Sequence, residues 1–235
     1  LEALTESIIP IPFVGESYNL EAVLAAQPDL IVVGAYNGEI YGADYAQLSR
    51  VAPTVVINET DSYIADRWVF DLGVVLGLEE EAAARWAAYR EKLAAARAQL
   101  EGAVGDEKGG LFRVTSRDFR VYGNVGYTAI LYNEGVGLTP PQLTRELAWG
   151  KYNESVSLEV LPRLHDAEHL FVSVDGDEDA ARVFEGVERN PLWQDLPAVR
   201  SGQVYPVERR VWMNDGLLAN EQKLENILDA LGGLE

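Results

Sequence analysis

The sequence predicts an α/β protein of two lobes, each a mainly parallel sheet flanked by helices, joined by one long interlobe α-helix. Three observations predict this fold. The first is a phrase that occurs twice. Ser17-Tyr18-Asn19-Leu20-Glu21-Ala22-Val23-Leu24 leads into Gln27-Pro28-Asp29 and the apolar run Leu30-Ile31-Val32-Val33. Ser155-Val156-Ser157-Leu158-Glu159-Val160-Leu161 leads into His165-Asp166-Ala167-Glu168 and Leu170-Phe171-Val172. Each copy reads as a Ser cap, a short helix with Glu in its first turns, and a buried strand. Their wide separation fits two similar lobes rather than a solenoid, whose period is far shorter. The second observation is strand–helix alternation in two blocks. The third is the segment between them, Glu79 to Val104, where Trp86, Tyr89, Leu93, Ala96, Leu100 and Val104 step by three and four along an Ala-, Glu-, Lys- and Arg-rich background.

In chain order, Ile8 to Val14 is expected as a strand, and Leu30 to Val33 as a continuous apolar strand of a sheet covered on both faces. Tyr45 to Val51 reads as a helix ending before Ala52-Pro53, Thr54 to Ile57 as a β-branched strand, and Asp61 to Leu76 as an amphipathic helix stopped at Gly77. The long helix Glu79–Val104 would span roughly 35–40 Å at 1.5 Å per residue. After the loop Asp106 to Gly110 come strands at Leu111 to Thr115 and Phe119 to Tyr122, and helices at Tyr127 to Glu134 and Pro141 to Leu147. The second copy of the phrase follows. A strand at Leu170 to Val174, a helix at Asp177 to Val187, a strand at Val204 to Val207 and a closing helix from about Gly216 to Leu231 complete the chain. The expected division is 1–78, 79–104 and 105–235.

Composition narrows the function classes. The 235 residues are 48% hydrophobic and 24% charged, ordinary for a globular protein, and no apolar run approaches the ~20 residues of a membrane span. Cysteine is absent, which excludes disulfides, thiolate metal sites and thiol catalysis. The net charge of −19 repels nucleic acid and anionic lipid. It serves solubility, or attraction to a basic docking surface.

The run from Asn19 to Ile31, then Gln47-Leu48-Ser49-Arg50-Val51-Ala52-Pro53-Thr54-Val55 and the long helix, resemble the N-lobe of class III solute-binding proteins of ABC importers. Val121-Tyr122-Gly123, Leu131 to Gly137, Ser157 to Leu161, Asn190-Pro191-Leu192-Trp193, Leu196 to Val199 and Val204-Tyr205 resemble the C-lobe. The likeness is greatest to the iron–siderophore and ferric-citrate branch. The resemblance implies capture of a ferric siderophore or ferric citrate in an interlobe cleft and delivery to an ABC permease. It implies an extracytoplasmic location, in the periplasm or as a cell-surface lipoprotein whose anchor would lie upstream of Leu1, with no cofactor beyond the transported chelate. Only Leu1 to Gly15 precede the first phrase, where the family has further βα units, so the resemblance implies an N-terminal lobe truncated at its start. The alternatives are a cobalamin- or haem-type binder of the same fold, or a chelatase-like enzyme.

A ferric chelate brings its own iron ligands, so its receptor needs cations, hydrogen-bond donors and aromatic faces. The expected ligand-binding residues are Arg113, Arg117, Tyr122, Tyr127, Trp149, Arg209 and Trp212, with Tyr36 and Tyr41 in the first block. Arg120 alternates with apolar neighbours and is expected to face solvent. Trp86 and Tyr89 are expected to pack, and Trp68 to belong to the core. The resemblance places Glu21 and Glu159 against basic pockets of a permease. The helix dipole offers a simpler role for each. His165 and His169 lack the helical context of a metalloprotease motif and are expected at the surface. Gly123-Asn124-Val125-Gly126 is too weak a pattern for a phosphate cradle.

Overall fold

The computed structural model describes residues 13–14, 17–36, 39–40, 44–59, 65–132 and 135–232. The chain divides into two compact units, Leu1–Ala83 and Ala84–Glu235.

In the first unit, strands β1 (Phe13–Val14) and β2 (Ser17–Tyr18) form an antiparallel pair. The rest of the expected strand from Ile8 lies outside the described residues. Helix α1 (Leu20–Ala25) is capped by Asn19, whose Oδ1 accepts from the N–H groups of Glu21 at 3.0 Å and Ala22 at 3.2 Å. The expected Ser cap is therefore replaced: Ser17 belongs to β2, and Asn19 is the polar residue with extended backbone directly before the helix. Strands β3 (Ile31–Tyr36), β4 (Glu39–Ile40) and β5 (Thr54–Glu59) form a sheet of order β4-β3-β5. β3 and β5 are parallel, from Ile31 beside Thr54 to Tyr36 beside Glu59. Between them α2 (Tyr45–Leu48) is capped by Asp44. Helix α3 (Ala65–Leu76) lays Trp68 over Gly34 of β3, where a Cβ would stand 3.0 Å from the indole ring. Trp68 thus packs on the sheet, as expected.

Helix α4 (Glu79–Val104) follows. Its predicted stripe is buried from Tyr89 through Leu93, Ala96 and Leu100 to Val104, with Trp86 packed against the same cluster. The division between units falls within α4, so most of the helix belongs with the second unit rather than forming a segment of its own.

The second unit is built on a five-stranded sheet of order β10-β9-β6-β7-β8. Its strands are β6 (Gly109–Val114), β7 (Phe119–Tyr122), β8 (Asn153–Val156), β9 (His169–Val174) and β10 (Val204–Pro206). β6, β9 and β10 run parallel, whereas β7 and β8 pair antiparallel. Since β8 thereby runs in the same direction as β6, the sheet is mainly parallel, as expected, with β7 as its strand of opposite sense. The turn from Thr115 to Asp118 is too short for the crossover a parallel β7 would need.

Alternation along the strands sorts the core in two. Leu111, Tyr122 and Phe171 join the cluster beneath α4 and the closing helix α10 (Leu217–Leu231). Phe112, Val114, Val121, Leu170 and Val172 face the other way, onto α5 (Gln142–Leu147), a 3₁₀ segment Leu158–Leu164, α6 (Glu178–Glu188), α7 (Pro191–Gln194) and α8 (Pro197–Arg200). Glu221 of α10 accepts from Arg85 at 2.5 Å and Lys92 at 3.0 Å, which fastens α10 to α4.

Two expected helices are tighter than predicted. Tyr127 to Glu134 is instead a 3₁₀ turn, Gly126–Leu131, and residues 133 and 134 lie outside the described set. In the second phrase Ser155 lies in β8, and Ser157 stands at the N-cap without a side-chain bond. The segment it opens is a 3₁₀ helix with Pro162 inside it, where one backbone donor is missing.

The Gly123–Gly126 pattern has a packing cause. A Cβ on Gly123 would lie 1.9 Å from the Ala148 carbonyl oxygen. One on Gly126, whose φ is +67°, would lie 1.9 Å from the Tyr152 ring. Gly123→Ala should cost about 3 kcal/mol in chemical denaturation, because backbone on both sides must shift. Gly176→Ala, with nothing within 4 Å, should change stability by less than about 0.5 kcal/mol.

Candidate ligand-binding site

The carboxyl ends of β6, β9 and β10 meet at one edge of the second unit's sheet, the edge at which open α/β sheets bind ligands. Arg113 is the penultimate residue of β6, and Asp175 directly follows β9. Their side chains form a two-pronged pair, Nε to Oδ1 at 2.7 Å and Nη2 to Oδ2 at 2.9 Å. Arg209, the first residue of α9 (Arg209–Trp212), reaches the same carboxylate at 3.1 Å. Arg113 and Asp175 are only 14% and 17% exposed, while Arg209 is 50% exposed. The Asp175 bond raises the Arg113 pKa above its ordinary value. Burial pushes the Asp175 carboxyl up, but the Arg113 hydrogen bonds and the charges of Arg113, Arg209 and Arg120 outweigh it and hold the group below its ordinary range.

Beside this pair, the β6–β7 turn is fixed by Thr115, whose Oγ1 donates to Asp118 at 2.7 Å and accepts from the N–H groups of Arg117 and Asp118. Asp118 also accepts from Arg120 at 3.3 Å and Ser155 at 2.7 Å. Arg120 is thus paired rather than simply facing solvent. Arg117 projects from the turn, exposed, with no side-chain ion pair among the described residues. Arg113, Arg117, Arg120 and Arg209 against Asp118 and Asp175 make four positive and two negative charges, a local +2 in a chain of net −19.

The aromatic candidates divide. Tyr122 is 1% exposed; its hydroxyl donates to the Met213 sulfur at 3.1 Å and accepts from Arg113 Nη1 at 3.5 Å. It buttresses Arg113 from within the core instead of facing a ligand. Trp212 is wholly buried, stacked on Phe171 with centroids 4.9 Å apart, and donates Nε1–H to Asn226 at 3.1 Å. It is a packing residue, because α9 turns its ring down onto the sheet. Half-buried Tyr127 lies between Tyr122 and Tyr152, at 6.3 and 5.3 Å. Trp149 is 37% exposed, next to a residue bonded to Asn124 beyond the carboxyl end of β7. Since β7 is antiparallel to β6, that is the opposite edge from the arginines. Tyr36 ends β3 with a side chain outside the described set, and Tyr41 lies outside the described residues altogether.

His165 is exposed, as expected, but His169 is only 2% exposed. It opens the inner strand β9, with Nε2 2.7 Å from Glu107 and Nδ1 3.1 Å from the Tyr205 hydroxyl. No group of metal-ligating side chains is present among the described residues. Sequence reasoning missed Lys223 of α10, which is fully buried with Nζ bonded to the carbonyls of Tyr127 and Asn214. It also did not foresee Asp175 as the partner of Arg113. Glu21 and Glu159 are both exposed, each the second residue of its helix, and neither forms an ion pair among the described residues.

The family model described as "Periplasmic binding protein" matches residues 15–210. The chain belongs to this family. The family supplies substrate-binding proteins of ABC transporters rather than enzymes. Across 223 residues, 93% of the chain, it is 28% identical to the iron(3+)-hydroxamate-binding protein FhuD of Bacillus subtilis, spanning 67% of that relative. It is 30% identical to the ferric enterobactin-binding periplasmic protein FepB of Escherichia coli, over 82% of this chain and 60% of FepB. Among solved structures, a periplasmic binding protein component of a Fep/Fec-like ferrichrome ABC transporter from Bacillus subtilis superposes with TM-score 0.76 at 29% identity, covering 92% of this chain and 77% of that one. These neighbours carry the two-lobed α/β fold.

The Arg113–Asp175 pair has a pH signature. A carboxyl with a depressed folded pKa stabilises the fold above its unfolded value of 3.8, and that contribution is lost as pH falls through the folded pKa. Asp175→Asn should lower stability at pH 7 by about 1–3 kcal/mol, since Arg113 loses its charged acceptor. Urea unfolding at pH 7 and pH 2.5 checks this. The gap between wild type and variant should shrink at the lower pH; an equal gap at both would mean that the ionised carboxylate is not what stabilises.

Proposed function

We propose that this chain is an extracytoplasmic binding protein that captures a ferric siderophore or ferric citrate and hands it to an ABC-type permease. The observation that carries the reading is the guanidinium-rich edge at the ends of β6, β9 and β10 in an otherwise acidic chain. A chelate that already satisfies its iron presents carboxylate, catecholate or hydroxamate oxygens outward, and guanidinium groups are matched to such acceptors. Arg117 and Arg209 are the contacting cations, being exposed. Arg113 presents what its pair with Asp175 leaves free, and Tyr127 offers a ring to the organic part. The names of the relatives support this class, since they bind ferric hydroxamate and ferric enterobactin. A further relative, from Bacillus subtilis, is an Fe(3+)-citrate-binding protein.

Glu21 and Glu159 are the permease contacts in this reading. Both carboxylates are exposed and unspent, so a basic pocket could take either without breaking an internal bond.

Arg117→Ala and Arg209→Ala should each weaken binding of the chelate by about 1.5–3 kcal/mol, as a lost charged hydrogen bond. Stability should hold, because Asp175 keeps Arg113. Calorimetric titration of ferric citrate, a ferric triscatecholate and a ferric trishydroxamate measures this. If wild-type protein binds none of the three more tightly than millimolar, the ligand class is wrong.

Glu21→Ala and Glu159→Ala should leave folding within about 0.5 kcal/mol and leave ligand affinity unchanged. Permease-stimulated ATP hydrolysis should fall in each, most in the double variant. A double variant with full stimulation would remove both residues from docking.

A further inference from the structure

Lys223 lies in the middle of α10 and is 0% exposed. Its ammonium has three donors, and all three are used. Nζ donates to the Tyr127 carbonyl at 2.9 Å, the Asn214 carbonyl at 2.6 Å and the Asn220 side-chain oxygen at 3.1 Å. These acceptors are neutral oxygens. Burial pushes the amine down to about 8, with the charge of Asp215 opposing. Burying the amine costs desolvation, which its three hydrogen bonds offset; a methionine or leucine in the same stripe would avoid that cost but would leave the two carbonyls without this donor.

What the amine does is join two segments far apart in sequence, both of which support the arginine edge. Tyr127 belongs to the Gly126–Leu131 turn, and its ring lies against Tyr122. Asn214 closes the segment that begins with Arg209, and the sulfur of its neighbour Met213 accepts a hydrogen bond from the Tyr122 hydroxyl. Tyr122 in turn touches Arg113. We propose that Lys223 is a positioning residue of the ligand site, holding the Gly126–Leu131 turn and the Arg209–Asn214 segment at one spacing so that Tyr127, Arg113 and Arg209 are set before ligand arrives. The inference rests on the function proposed above, and its test separates the two.

Lys223→Met should speed amide hydrogen exchange in residues 126–131 and 211–216 together, without ligand, and leave β6 and β9 protected. Affinity for whichever of ferric citrate, ferric enterobactin or ferrioxamine B the wild type binds should fall at least tenfold. Leu231→Ala, at the far end of α10 and wholly buried, is the control: at an equal loss of melting temperature, its affinity should stay within twofold of wild type. Where the Met variant does not fold, Lys223→Gln, which keeps a donor with a shorter reach, takes its place. Exchange that rises in one segment only, or not at all, overturns the linkage. An affinity loss matched by Leu231→Ala reduces Lys223 to a stability role. Wild-type protein that binds none of the three chelates overturns the function itself, and the positioning role falls with it even where the exchange result stands.

Discussion

The inner strands β6 and β9 of the second unit's sheet are buried on both faces, and the chemistry of the unit is arranged around that constraint. Leu111, Leu170 and Phe171 are 0% exposed, and Phe112 and Val172 2%. α4 and α10 seal one face; α5 to α8 and the Leu158–Leu164 segment seal the other. On β6 and β9, His169 and Ser173 are buried, and the polar side chain that reaches solvent is Arg113, next to the end of its strand. Arg113 is therefore placed where its stem can lie along the buried face while the guanidinium clears the edge. The same limit explains Tyr122. Its ring is core, and only its hydroxyl takes part in the polar edge, between Met213 and Arg113.

Charge then decides which side chains at that edge are free. Arg113 and Arg209 would repel each other, but one carboxylate, Asp175, holds both. The pairing costs the site one positive charge and in return fixes two guanidinium groups on three elements. Arg117 escapes this arrangement because Thr115 fixes its turn through backbone N–H groups and Asp118 takes Arg120 instead. A local excess of cations in a chain of net −19 draws an anion to one place rather than over the whole surface. The acidic remainder repels other anions and leaves carboxylates available for a basic partner.

Much of this was legible in the sequence, and the exceptions share a cause. The stripe of α4 fixed which face of that helix packs, and the strands at Leu111 and Leu170 stand where the apolar runs put them. Arg113, Arg117 and Arg209 were visible as rare basic residues near strand ends. Trp212 and His169 were misread because burial at a strand end depends on what packs there from elsewhere in the chain. Phe171 receives Trp212, and Tyr205 with Glu107 encloses His169. Asp175 was one acid among 38 acidic residues, and nothing local marks it as the partner of Arg113. Lys223 did leave a signal. It stands four residues from Ala219 and four from Ile227, within the buried stripe of α10, where a charged residue needs a reason.

The repeated phrase takes on a sharper meaning from the ways its copies differ. In the first unit it makes an α-helix capped by Asn19. In the second it makes a 3₁₀ segment with no side-chain cap and a proline inside. Neither the helix type nor the cap is common to both. What is common is an exposed glutamate at the second helical position with no ion pair among the described residues. A dipole role accounts well for Glu21, at the start of an α-helix with aligned N–H groups. It accounts poorly for Glu159, because poorer hydrogen-bond geometry and an interrupting proline weaken the dipole of its segment. A carboxylate kept at the same place on two different local structures, in neither case used internally, is better explained by something outside the chain. That asymmetry favours the docking role proposed for the pair over two separate capping roles.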